Sequence, residues 1–158
     1  MKRIVSIQDI SCLGKCSLTV ALPIISAMGV ECSIVPTAVL STHTMFQNFT
    51  CKDLTDQISP IAAHWKSEKI GFDAIYTGYL ASKEQIGDVC AFFDQFKTEG
   101  NLIVVDPVMV ATSGARLLRE DAVDAMKECL LPLAEVLTPN IPEAEILAGM
   151  DIRTAEDM

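Results

Sequence analysis

The chain has 158 residues, half of them apolar, and a formal charge of −9 from twelve basic and twenty-one acidic side chains. That length supports one hydrophobic core. The acidic balance argues against nucleic acid or an anionic membrane surface as the main partner, so an anionic ligand would have to be held by local donors.

Arg3 to Ile7 reads as a first strand, followed by a polar turn through Asp9 to Lys15 and a helix that Ser17 caps and that runs to about Met28, where Gly29 stops it. Glu31 to Val35 is a second strand ending at Pro36, and Lys52 to Ser67 has a helical pattern disturbed early by Pro60. Asp73 to Tyr76 is a third strand. Ser82 caps a helix to about Thr98, Leu102 to Val105 is the fourth and most apolar strand, and a helix spans about Glu120 to Leu130. Glu135 to Leu137 gives a fifth strand and Pro142 to Ala148 a short helix closed by Gly149. Strands alternating with helices at this spacing predict right-handed βαβ units around a mainly parallel sheet, a Rossmann-like three-layer α/β/α sandwich. Thr154 and Asp157 form a weak helix-opening pair at the very end of the chain. A helix that opens without a body predicts that residues 1–158 are the N-terminal portion of a single larger domain, truncated on its C-terminal side.

The longest mainly apolar stretch, Leu18 to Val30, has the length of a buried helix, not of a membrane span, and the N-terminal apolar run is too short for a signal-peptide core. The six cysteines, Cys12, Cys16, Cys32, Cys51, Cys90 and Cys129, contain no Cys-x-x-Cys pair. They read as reduced thiols, with Cys12 and Cys16 as small buried residues, and the protein as cytoplasmic.

Neither glycine-rich phosphate motif is present. A P-loop would need Gly where Asp9 stands and Ser or Thr where Cys16 follows Lys15, and a dinucleotide fingerprint would need three glycines where only Gly14 occurs. Polar residues gather instead after the apolar strands. Val104-Val105-Asp106-Pro107-Val108 and Val136-Leu137-Thr138-Pro139-Asn140 end alike, and the second runs into Ile141-Pro142-Glu143. Because ligands bind at the carboxyl ends of parallel strands, Asp106, Asn140 and Glu143 share a functional rim. Two carboxylates and an amide suit a hydrated Mg²⁺ serving phosphate chemistry. Pro107 restricts the backbone of Asp106, and hence the direction of its carboxylate. Asn140 and Glu143 stand one helical turn apart, so helix capping competes with ligand binding there. Glu145 is assigned to solvent. Ser41-Thr42-His43-Thr44 and Tyr76-Thr77-Gly78-Tyr79 follow the second and third strands, offering hydroxyls, an imidazole and a ring for stacking, and Thr112-Ser113-Gly114 is a small polar turn.

Taken together, Ser41-Thr42-His43-Thr44, Thr77-Gly78-Tyr79, Asp106-Pro107-Val108 and Thr138-Pro139-Asn140-Ile141-Pro142-Glu143 resemble the ribokinase-like vitamin kinases, in the same order and over essentially the whole chain. The front half is most similar to pyridoxal kinase. The back half, Asp106 to Gly114 with Leu130-Leu131-Pro132-Leu133-Ala134, is similar to hydroxymethylpyrimidine phosphate kinase of thiamine synthesis.

The resemblance implies ATP-dependent phosphorylation of the hydroxymethyl group of pyridoxal, pyridoxine or pyridoxamine, with a hydroxymethylpyrimidine kinase or a non-catalytic vitamin-binding module as alternatives. It assigns Asn140 and Glu143 to the element that organises Mg²⁺ and its waters near the phosphates, and Asp106 to the acidic position near metal and γ-phosphate. Thr44 and Tyr79, with His43 beside them, match vitamin-contacting positions. Asp9 stands where many pyridoxal kinases carry a ring-binding serine. The catalytic aspartate of the family lies in a Gly-x-Gly-Asp motif that occurs nowhere in these residues, so the base is expected beyond Met158 and the chain alone is expected to be inactive. The family also implies a homodimer.

Overall fold

The computed structural model describes residues 1–110 and 116–157. Six strands form one sheet in the order β3-β2-β1-β4-β5-β6: β1 Arg3–Ser11, β2 Glu31–Leu40, β3 Cys51–Asp53, β4 Ala74–Thr77, β5 Leu102–Val105 and β6 Val136–Leu137. All neighbouring pairs are parallel except β2 with β3. The helices are α1 Leu18–Ala27, α2 Thr55–Ser67, α3 Lys83–Phe96, α4 Glu120–Ala125 and α5 Ile141–Ala148.

The direction of travel explains the layers. From β1 the chain steps outward to β2, then crosses back past β1 to β4 and continues to β5 and β6. Right-handed crossovers therefore put α1 on one face and α2, α3 and α4 on the other. On the second face, Val5 and Ile7 of β1, Ile75 of β4 and Ile103 and Val105 of β5 meet Ile58 and Ala62 of α2 and Ile86, Val89, Phe92 and Phe93 of α3 in one core. Each of the larger side chains in this set stabilises the fold by about 1.5–3 kcal/mol when removed from water. Phe72, Phe92 and Phe96 interlock at its edge, with ring centroids 4.5–6.3 Å apart. The wholly buried Gln85 ties the layers together. Its amide donates to Thr37 O (3.0 Å) and Thr55 Oγ1 (2.9 Å), and its oxygen accepts from Ala81 N (2.9 Å).

Several elements differ from the sequence expectation. β1 and β2 run on to Ser11 and Leu40 because an irregularity in their pairing, between Gln8–Pro36 and Ile10–Val39, absorbs a proline that would otherwise end a strand. Lys52 belongs to the short antiparallel edge strand β3, and the helix starts only at Thr55. After α4, Met126–Leu130 loosens into a π-turn and Leu131–Leu133 tightens into a 3₁₀ turn around Pro132. Ser82 caps α3 by accepting from Gln85 N, whereas Ser17 makes no such bond to α1. Glu145 does not simply face solvent: its carboxylate accepts from Ile152 N at 2.8 Å and fixes the segment after α5. Asp157 accepts from Arg153 N, Thr154 N and Thr154 Oγ1 at 2.8–3.1 Å, which produces a 3₁₀ turn over Ala155–Asp157. Cys12 and Cys16 are exposed, not buried, and all six thiols are free. Among the described residues, no helix is long and apolar enough to cross a membrane.

Candidate functional site

The strand order reverses between β1 and β4, and the carboxyl ends of strands at such a switch point splay apart into a crevice. A cleft of about 520 Å³ occupies that position. It is lined by Gln8, Asp9 and Ser11 from the end of β1, by His43 and Thr44 after β2, by Tyr76, Gly78 and Tyr79 from the end of β4, and by Asp106 after β5. Val20, Ala21, Ile24 and Ile25 of α1 form an apolar wall. The four residues assigned to the vitamin, Asp9, His43, Thr44 and Tyr79, thus share one cavity with Asp106. Asn140 and Glu143 stand outside its lining.

Local chemistry explains each placement. Gly78 lets the chain pass Gln8, since a Cβ there would sit 2.8 Å from the Gln8 side chain, and Gln8 also donates to Ser6 Oγ at 2.9 Å. Gly14, at φ +108°, gives way to the His43 ring, which would meet a Cβ at 2.2 Å. His43 Nδ1 accepts from Met45 N at 3.3 Å, which leaves Nε2 as the protonated nitrogen of the neutral ring. Burial first, then Asp9 and Cys51, raise the Tyr79 phenol above its ordinary value. Tyr76 is raised by burial and by Asp106, against a hydrogen bond with Gln8.

Asp9 is 5 % exposed. Its Oδ1 accepts from Ser17 Oγ at 2.6 Å and its Oδ2 from Ser11 Oγ at 3.3 Å. Asp106 is held through its backbone, which continues the ladder by donating to Thr77 O at 3.0 Å, and through a tight turn in which Val108 N donates to Asp106 O at 2.9 Å. Burial pushes the Asp106 carboxyl up to about 6, the Glu143 charge adds to this, and a hydrogen bond with Thr138 opposes it.

Glu143 is the more deeply buried acid, at 2 % exposure. Its Oε1 accepts from Met109 N (3.0 Å) and Val110 N (3.3 Å), and its Oε2 from Asn140 N (2.9 Å). Asn140 completes a capping box by accepting from Glu143 N at 3.0 Å, and donates to Val110 O at 3.0 Å. The pair therefore clamps the segment that follows Asp106 onto the start of α5. With three N–H groups satisfied, Glu143 keeps room for about one further donor, on Oε2. Asp106 is the carboxylate with capacity for a cation. Among the described residues, no group of three or more His, Cys, Asp or Glu side chains is arranged to hold a metal.

Gln8, Ser17, Tyr76 and Thr138 were not singled out from sequence as members of this site. Thr112-Ser113-Gly114 lies outside the described residues.

A mainly parallel six-stranded sheet with a cleft at its switch point and acidic residues on the rim defines an open, doubly wound α/β protein with a ligand-binding crevice. Residues 21–158 match the family model described as phosphomethylpyrimidine kinase, and the chain belongs to that family. It is 38 % identical over 125 residues to the hydroxymethylpyrimidine/phosphomethylpyrimidine kinase of Bacillus subtilis, covering 77 % of this chain and 44 % of that protein. The Rhizobium meliloti protein of the same name is 37 % identical over 139 residues, covering 88 % and 51 %. The chain thus spans about half the length of these curated relatives. A Bacteroides thetaiotaomicron structure assigned to phosphomethylpyrimidine kinase, crystallised with pyridoxal, superposes with a TM-score of 0.91 at 39 % identity over 99 % of this chain and 56 % of that one. Pyridoxal kinase from Lactobacillus plantarum superposes at 0.84 with 29 % identity, over 98 % and 55 %.

Proposed function

We propose that the protein carrying this chain transfers the γ-phosphoryl group of ATP to the hydroxymethyl group of a small heteroaromatic ring, with pyridoxal, pyridoxine or pyridoxamine as the acceptor. The observation that carries the reading is the single cleft at the switch point, which joins Asp9, His43, Thr44 and Tyr79 to Asp106. The apolar wall of α1 and the Tyr79 ring give a planar ligand two surfaces, while Asp9 and His43 Nε2–H supply an acceptor and a donor for its edges.

In the same cleft, Asp106 fits a hydrated Mg²⁺. Its carboxylate has no cationic partner among the described residues and feels the negative Glu143 nearby, a repulsion that a dication relieves. Mg²⁺ would neutralise charge on the transferring phosphates. Asp106 would hold it, Glu143 would accept from one of its waters, and Asn140 with Glu143 would keep the Asp106 segment rigid. No Gly-x-Gly-Asp occurs in the 158 residues, so the base that takes the hydroxyl proton is assigned outside this segment, as are most contacts to adenine and ribose. In this reading residues 1–158 are the vitamin-binding and metal-binding portion of one kinase domain, the protein is cytoplasmic, and the intact protein pairs as a homodimer.

The specific rival is phosphorylation of hydroxymethylpyrimidine or its phosphate, favoured by the curated relatives in B. subtilis and R. meliloti. Steady-state kinetics of the intact protein with pyridoxal, pyridoxamine and hydroxymethylpyrimidine separate the two. The proposal expects the highest kcat/KM for a pyridine. A pyrimidine preference replaces it with the rival, and turnover of none of them removes both.

A further inference from the structure

Ser17 occupies the place of a helix N-cap and does not act as one. Its backbone sits at φ 52°, ψ −131°, a conformation that strains a non-glycine residue, and its hydroxyl bonds no helical N–H. The hydroxyl points instead to Asp9 Oδ1 at 2.6 Å, the shorter of the two side-chain hydrogen bonds that Asp9 receives. Asp9 itself lies where the register of β1 against β2 shifts, an irregularity that re-aims side chains. The result is a nearly buried carboxylate that has no cationic partner among the described residues, is fixed by two hydroxyls, and retains lone pairs toward the cleft.

Resting on the ring-alcohol reading above, we propose that Ser17 is a positioning residue and that the Ser17–Asp9 pair filters ligands by hydrogen-bond polarity. An ionised carboxylate accepts only. With its direction fixed by Ser17, it rewards a ring that presents an N–H or O–H at that edge and penalises one that presents a lone pair or a C–H, because desolvating the charge without a donor is costly. A site built around a hydrogen-bonding edge rejects the analogue lacking it far more strongly than an apolar wall rejects a change of size. The ligand class is therefore a neutral or protonated heteroaromatic alcohol carrying a phenolic, amino or ring-nitrogen donor. Strain at Ser17 is the cost of placing the hydroxyl there.

The test compares two pairs of acceptors on the intact protein: pyridoxine with 3-deoxypyridoxine, and hydroxymethylpyrimidine with its 4-deamino analogue. The parent is expected to favour the donor-bearing member of at least one pair by about 10- to 100-fold in kcat/KM. Ser17→Gly removes the hydroxyl and relaxes the positive φ, so it should fold at least as well as the parent. It is expected to compress that ratio to about threefold or less, acting on KM with little change in kcat, and Asp9→Asn should do the same. A parent that does not discriminate, a ratio left intact by Ser17→Gly, or an equal loss for both members of a pair overturns the proposal. If neither ring alcohol is phosphorylated, the ring-alcohol reading falls by itself. The same ratios are then taken as dissociation constants by calorimetry, where an unchanged ratio or no binding overturns the Ser17–Asp9 filter too.

Discussion

Two nearly buried carboxylates sit on the same rim and have opposite surroundings. Glu143 receives three backbone N–H groups from two segments, so its charge holds the fold together around the end of β5. Asp9 receives two side-chain hydroxyls and borders the cleft. The contrast teaches that burial does not separate an acid that braces the backbone from one that borders a cleft; the identity of the donors does. Backbone N–H groups cannot find another acceptor when a carboxylate is removed, whereas hydroxyls can rotate toward water or a neighbour.

Four outcomes would break or sharpen the contrast. The largest is expected for Glu143→Ala, which orphans the N–H groups of Met109, Val110 and Asn140. Chemical denaturation should show a loss of about 3 kcal/mol or more, and a loss below about 1 kcal/mol would mean that the clamp is not structural.

Asp106 comes next. Its folded-state value of about 6 exceeds the ordinary value of 3.8, so the folded form binds the extra proton. The associated stability is fully present below the unfolded value and is lost as pH rises through about 6. In metal-free buffer the protein should therefore lose on the order of 1–2 kcal/mol between pH 4 and 7 from this group, discounted for its partial exposure. Asp106→Asn should flatten that part of the curve in pH-dependent unfolding, and an unchanged slope would assign it elsewhere.

Asn140→Ala should cost about 1 kcal/mol, because it removes the acceptor for Glu143 N and the bond to Val110 O, while the Glu143 carboxylate keeps all three of its backbone donors. The smallest effect is expected for Asp9→Ala, within about 1 kcal/mol of the parent by thermal unfolding at neutral pH, since no backbone N–H depends on it. A loss as large as that of Glu143→Ala would erase the distinction between the two acids.

Much of this was readable in the sequence because it is local. Alternating apolar strands and helical periods give the parallel sheet and its layers. Asp106, Asn140 and Glu143 follow apolar runs, and His43, Thr44 and Tyr79 lie in loops after strands, so their place at the carboxyl rim follows from connectivity alone. What escaped is non-local. β3 is three exposed residues, Cys51-Lys52-Asp53, with no apolar alternation to announce it. Pro36 looks like a strand end unless the shifted register with β1 is known. Ser17 looks like a cap because its real partner, Asp9, precedes the turn. The capture of Met109 and Val110 by Glu143 spans more than thirty residues, and no spacing rule describes it.

Phosphoryl transfer as proposed requires Asp106 to serve the reacting end of the cleft that it lines with Asp9, His43, Thr44 and Tyr79. Transfer of label from γ-labelled ATP to pyridoxine by the intact protein, with and without Asp106→Asn, tests it most directly. The account predicts measurable transfer in the parent, reduced about 100- to 1,000-fold in the variant at saturating Mg²⁺. No transfer by the parent, or a variant that matches it, would contradict the account.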